Sequence, residues 1–242
     1  MSFGMFCAIP QPVQLWDNSC ANLVLPCMPL VGAAIGALWW GAARFLLLSG
    51  IHIMPAAAII ALTPFFASGF LHIDGFMDTS DAVLSRRPVE DKLRILKDPH
   101  TGAFAVIMTA ALFILQFAFV YAITENNKLP LLLSIIPVIS RCCSAFSILC
   151  LKTLPQSSFA NMFRLDSGVT HKVFIVFMLI TGLALSFLMA DIHGLIVTGS
   201  VIAGFSISMC YAYSNLKGVS GDLAGFALVT GELCGLLALA VI

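Results

Sequence analysis

The chain has 242 residues, of which 60% are hydrophobic and 10% charged, with a formal net charge of zero and a mean hydropathy of +1.02. A water-soluble domain carries about 25% charged residues, so this chain lacks the polar surface to coat itself in water, and a lipid bilayer is its expected solvent. The neutral balance excludes a nucleic-acid footprint.

Met1–Pro10 has no basic stretch ahead of its apolar residues, so no cleaved signal peptide is expected. The stretch before Pro26 contains Pro10, Pro12, Trp16 and Asp17. It is too interrupted for a span and reads as an interfacial or re-entrant segment. A span needs about 20 mostly apolar residues, and candidates fall at 28–49, 51–72, 103–124, 129–151, 173–190, 193–213 and 222–242. The expected fold is therefore an all-α transmembrane bundle of about seven spans, forming a single integral membrane domain over residues 1–242. Ser49-Gly50-Ile51 leaves almost no loop between the first two spans, so a tight hairpin turning at Gly50 is expected.

The basic residues are distributed unevenly. Arg86, Arg87, Lys92, Arg94 and Lys97 lie between spans two and three, Lys152, Arg164 and Lys172 between four and five, and Lys217 between six and seven. The other face carries only Lys128, plus Arg44 near the end of span one. The excess of Lys and Arg in cytoplasmic loops places the three basic loops inside the cell, which implies an inside N-terminus. The eight cysteines form no C-x-x-C pair and lie mostly in apolar runs, the pattern of small buried hydrophobes.

The densest chemistry is in His72-Ile73-Asp74-Gly75-Phe76-Met77-Asp78-Thr79-Ser80-Asp81. Asp74, Asp78 and Asp81 are spaced i, i+4, i+7, which on a helix places them within roughly a 60° arc. Three carboxylates that close repel one another in a poorly solvated place, and a divalent cation relieves the conflict because hard cations take carboxylate oxygens. Asp98 follows the basic loop and reads either as a further ligand or as a cap of the helix that opens at Gly102. Arg86, Arg87 and Lys97 beside such a cluster suit a phosphate-bearing substrate, or serve as a topology signal alone. Asp222, in Ser220-Gly221-Asp222, admits the same two readings, ligand or cap. Glu232 lies about 15 Å further along a helix, where an acid is expected to have a partner. Arg141 is a second buried charge, available to pair with an acid or to bind a phosphate. His72 adjoins the aspartates as a supporting group, whereas His52, His171 and His193 read as incidental.

The His-x-Asp-Gly-x-x-Asp-x-x-Asp run of residues 72–81 resembles the cobalamin synthases, the adenosylcobinamide-GDP ribazoletransferases. Leu96-Lys97-Asp98 with Gly102, Ser220-Gly221-Asp222 with Gly225, Gly231-Glu232, Arg141, Ile9-Pro10-Gln11-Pro12 and Pro29-Leu30-Val31-Gly32 look like further blocks of that family. Pro99, Lys217 and Ser220 depart from it, standing where the family pattern has Ser, Gly and Thr. The resemblance implies a Mg²⁺-dependent transferase that joins adenosylcobinamide-GDP to α-ribazole or its 5′-phosphate and releases GMP. The implied metal ligands are Asp74, Asp78, Asp98 and Asp222. Asp81 is a ligand or the base that takes the attacking hydroxyl's proton, and His72, Arg86, Arg87, Lys97 and Arg141 are candidates for the substrate. The expected setting is the cytoplasmic (inner) membrane, in contact with lipid, with the site facing the cytoplasm. A homo-oligomer is compatible with all of this.

Two other classes fit parts of the pattern. CDP-alcohol phosphotransferases and aromatic prenyltransferases also place Asp-rich motifs at helix ends around Mg²⁺, but the present block lacks the Ala-Arg after Asp-Gly of the former and the Asn-Asp pair of the latter. A cation-coupled transporter would use Glu232 and Arg141 as an intramembrane coupling pair. Against it, no internal repeat is visible and the acids cluster at one face.

Overall fold

The computed structural model describes residues 1–11, 17–126, 130–155, 157–164 and 167–242; Pro12, Trp16 and Lys128 lie outside them. The chain order is α1 (Ser2–Phe6), α2 (Met28–Leu48), α3 (Ile53–Ala67), α4 (Leu71–Leu84), α5 (Val89–Ile95), α6 (Ala103–Glu125), α7 (Ile136–Cys150), α8 (Ser158–Arg164), α9 (Val169–Leu216) and α10 (Gly221–Val241). Short 3₁₀ turns at Asn18–Leu23 and Pro130–Ser134 precede α2 and α7. Pro29 and Pro137 sit in the first turns of α2 and α7, where a missing N–H costs no helical hydrogen bond. The α2–α3 connection turns at Gly50, with φ +73°, as the hairpin reading expects. The Trp39 indole N–H donates to the Ile60 carbonyl at 2.8 Å and ties the two helices together.

The expected span over 51–72 ends early. Pro64 removes a hydrogen bond inside α3, and Gly69 and Phe70 both take left-handed backbone, at φ +64° and +60°. The chain bends there by 89°. Glycine adopts that conformation freely, whereas at Phe70 it costs about 1–2 kcal/mol. The Ala8 N–H donates to the Ala67 carbonyl at 2.8 Å, so the N-terminal segment satisfies one of α3's terminal acceptors. The bend turns α4 onto α10 and α6, its two main packing partners.

The 48-residue α9 contains non-helical backbone at Ala190 and Asp191. Past that break Gly194 lies directly against the Ser186 carbonyl, too close for any Cβ, and the Ser186 and Thr198 hydroxyls are 3.3 Å apart. The two arms therefore fold back on each other, at the place where the sequence separates 173–190 from 193–213. Among the described residues five helices are long and apolar enough to cross a membrane, or six when α3 and α4 are counted as one bent span. A count of seven further requires the arms of α9 to be taken separately.

Burial sorts the helices into layers. The apolar stretch leading through α7 is 78% buried and that of α10 61%, against 22% for α6 and 17% for α9. The inner pair forms the core. The outer helices expose Ile107, Ile114, Phe177 and Leu188, an apolar surface that suits lipid. The protein is a helical membrane protein. At one end of the bundle its polar loops are laced together. The Val219 N–H donates to the Lys152 carbonyl at 2.8 Å and the Leu154 N–H to the Val219 carbonyl at 2.9 Å, while Lys92 Nζ donates to Asn215 Oδ1 at 2.6 Å. Arg86, Arg87, Lys97, Lys152 and Lys217 all lie on the connections at this end.

Candidate active site

The i, i+4, i+7 spacing of Asp74, Asp78 and Asp81 is realised on one continuous helix, α4. The rest of the α4 surface carries Ile73, Phe76, Ala82 and Val83, all buried, and the Phe76 and Phe226 rings stack at 5.4 Å. That apolar seam binds α4 to α10 and leaves the acidic stripe turned away from the core. Asp74 is exposed, and Asp78 and Asp81 are half-buried.

Two glycines complete the approach. A Cβ on Gly75 would stand 2.8 Å from Asp222 Cα and 2.9 Å from its carbonyl oxygen, and one on Gly225 3.3 Å from the His72 carbonyl oxygen. Only bare backbone lets α4 and α10 cross this closely. The crossing delivers Asp222 beside the α4 acids, and the charges of Asp74, Asp222 and Asp81 all act on Asp78. Asp222 is not the helix cap. Ser220 fills that role, its hydroxyl accepting from the Leu223 N–H at 3.4 Å, and also donating to Asp222 Oδ2 at 3.2 Å. At the other end of the stripe the Asp81 carboxylate lies against Gly102, in the space a Cβ would fill. Gly102 thus makes room for a side chain of the protein itself.

A cavity of about 370 Å³ opens beside this cluster. The exposed Asp74 and Lys97 mark its mouth, with Asp222 beside them, and the buried His72, Met28, Phe6, Ala224 and Gly225 form its floor. His72 is 7% exposed, its Nε2 has no hydrogen-bond partner, and the Phe6 ring lies nearly parallel to it at 6.2 Å. Ser144 also lines the cavity. The sequence signals it only through spacing: it follows Arg141 by three residues and so shares a face of α7. Nothing in the sequence signalled that α1 would supply Met5 and Phe6.

The structure does not bring every candidate together. The Asp98 carboxylate accepts from the His100 N–H at 3.0 Å and meets His100 Nδ1 at 2.7 Å. These bonds, the backbone one first, hold its carboxyl below the usual range. It closes a local turn, it does not cap α6, whose cap is Gly102, and it is not among the charges acting on Asp78. Arg86 and Arg87 are exposed beyond the end of α4 and do not line the cavity. Arg141 is 1% exposed and pairs with Glu232, Nη1 to Oε1 at 2.7 Å. Ser140 donates to the same oxygen at 2.7 Å. This answers Glu232's need for a partner and commits Arg141 to it, with its charge still felt at His72.

Among the described residues no three His, Cys, Asp or Glu side chains converge into a ready-made metal site. The donor set is nonetheless suited to Mg²⁺, which is commonly held by one or two carboxylates together with waters and substrate phosphates, without a dedicated protein cage. Asp74, Asp78 and Asp222 offer the kind of donor such a cation takes, without forming a three-ligand site by themselves.

The chain is similar to known proteins over nearly its whole length. The cobalamin-5-phosphate synthase family matches residues 1–240. The chain is 40% identical to an adenosylcobinamide-GDP ribazoletransferase of Clostridium botulinum (strain Alaska E43 / Type E3), covering 98% of this chain and 94% of that protein. It is 36% identical to the protein of the same name from Clostridium perfringens (strain 13 / Type A), covering 100% and 96%, and 29% identical to that of Geobacillus kaustophilus (strain HTA426), covering 96% and 90%. No solved structure matches the chain. With the match running through α4, α10 and the loops between them, the chain belongs to the cobalamin-5-phosphate synthase family.

Proposed function

We propose that the chain is an adenosylcobinamide-GDP ribazoletransferase, joining adenosylcobinamide-GDP to α-ribazole or its 5′-phosphate and releasing GMP. The observation that carries this reading is the crossing at Gly75. It sets Asp222, from near the end of the sequence, beside the Asp74–Asp81 stripe and turns two separate family blocks into one acidic site.

In the reaction the oxygen of a ribose hydroxyl forms a bond to the phosphorus on the cobinamide side of the diphosphate. The bond from that phosphorus to the bridging oxygen breaks, and GMP leaves with that oxygen. Such a displacement needs the alcohol aligned opposite the leaving group and the growing negative charge neutralised. A Mg²⁺ ion at Asp74, Asp78 and Asp222 would supply that neutralisation. Asp81, next along the same face and seated against Gly102, takes the hydroxyl proton. Lys97, at the cavity mouth, meets the substrate phosphates, and Arg86 and Arg87 attract them from the rim. The basic connections at this end favour a site on the cytoplasmic side of the inner membrane, where phosphorylated substrates would reach it from water while lipid surrounds α6 and α9.

Incubation of the detergent-purified protein with both substrates and Mg²⁺ tests the proposal: GMP and a cobalamin product appear together. Solute uptake into proteoliposomes with no GMP release would replace it by a transporter.

A further inference from the structure

The cavity beneath the acidic cluster has a floor unlike its mouth. Phe6, Met28 and Ile148 make it largely apolar, and the buried polar side chains on it are His72 and Ser144. His72 Nε2 is enclosed without a hydrogen-bond partner, which is costly unless a ligand supplies the missing bond. The near-parallel Phe6 ring, 6.2 Å away centre to centre, offers a flat wall beside the imidazole.

We propose that this cavity is the binding site for the base of the nucleophilic substrate, with His72 Nε2–H donating to the unsubstituted ring nitrogen of α-ribazole's dimethylbenzimidazole. The inference rests on the transferase reading and adds which of the two substrates enters the cavity, and by which atom. Volume favours the smaller one. About 370 Å³ is at the low end of the roughly 300–1,000 Å³ of small-molecule sites, which admits a nucleoside and excludes a corrin ring. Chemistry favours dimethylbenzimidazole over the guanine of the other substrate. Guanine carries several donors and acceptors on its edges, and a floor with two polar side chains would strand most of them. Dimethylbenzimidazole has a flat apolar body and one free ring nitrogen, matching one aromatic wall and one unpartnered imidazole nitrogen. The order along the cavity is also productive. With the base on the floor, the ribose lies toward Asp74 and Asp222 at the mouth, where its hydroxyl meets the diphosphate.

The test compares α-ribazole with an analogue whose free ring nitrogen is replaced by CH, a dimethylindole riboside, by following GMP release. The unaltered protein is expected to show a KM for the indole riboside roughly 10- to 100-fold higher, the range for one stranded buried polar group. His72→Phe is expected to raise the KM for α-ribazole by a similar factor, to treat the two ribosides alike, and to leave the KM for adenosylcobinamide-GDP unchanged. Equal KM values for the two ribosides with the unaltered protein would overturn the assignment without use of any variant. So would a His72→Phe effect confined to adenosylcobinamide-GDP. Release of GMP from adenosylcobinamide-GDP by the unaltered protein with either riboside as acceptor upholds the transferase reading independently; its absence with both would remove that reading and this assignment with it.

Discussion

Gly75 lies against the backbone of Asp222, with room for no more than a hydrogen: a Cβ there would stand 2.8 Å from Asp222 Cα. This contact aligns the α4 stripe with the start of α10. Gly75→Val should force the helices apart, costing about 1–3 kcal/mol as overpacking does and lowering GMP release at least about tenfold. Thermal unfolding in detergent, read beside the rate, checks both. An unchanged rate would show that the crossing does not position Asp222.

Gly102 and Asp81 form a second such pair. A methyl group at 102 would occupy the space of the Asp81 carboxylate, so Gly102→Ala should lower kcat by about 100-fold, the lower end of what a positioned acid–base group contributes. In an Asp81→Asn background the same substitution should add little, because its effect runs through Asp81. A double-mutant cycle on kcat measures this coupling directly.

The Arg141–Glu232 pair predicts a stability pattern. Either Arg141→Met or Glu232→Leu alone leaves one charge buried without its partner and should destabilise the protein by about 3–5 kcal/mol, whereas the double substitution should recover most of the loss. Unfolding temperatures of the four forms in one detergent decide it. A double variant as unstable as the worse single one would point to a role beyond the mutual pair.

Asp98 is set apart by its turn with His100. Asparagine closes the same kind of turn, so Asp98→Asn should keep turnover within about threefold, the effect of a neutral surface change. Loss of turnover on the scale of an α4 aspartate variant would bring Asp98 back into the metal site.

Much of the site was legible because helical periodicity converts spacing into geometry. Asp74, Asp78 and Asp81 could be placed on one face before the fold was known. The glycines around them could be named but not interpreted. Whether Gly102 admits a ligand or the Asp81 side chain depends on where α4 lies against the loop before α6, which is a tertiary fact. The bend at Ser68–Phe70 is not legible in hydropathy, because the apolar run continues through it to Leu71 and hydropathy does not register backbone angle. Asp98 and Asp222 were indistinguishable as cap or ligand from sequence alone. The capping hydroxyl of Ser220 and the turn at His100 separate them. The contribution of α1 to the cavity floor follows from long-range packing that no local pattern encodes.

GMP release is expected to depend on a divalent cation held by carboxylates gathered from α4 and α10. The deciding experiment follows GMP release against Mg²⁺ concentration for the unaltered protein and for Asp78→Asn, each shown to be folded by size-exclusion chromatography in detergent. The expected result is activity that vanishes on chelation, returns with Mg²⁺, and falls by more than about 100-fold in the variant, beyond the loss typical of groups that merely support a ligand. Near-normal turnover by Asp78→Asn, or turnover indifferent to chelation, would contradict it.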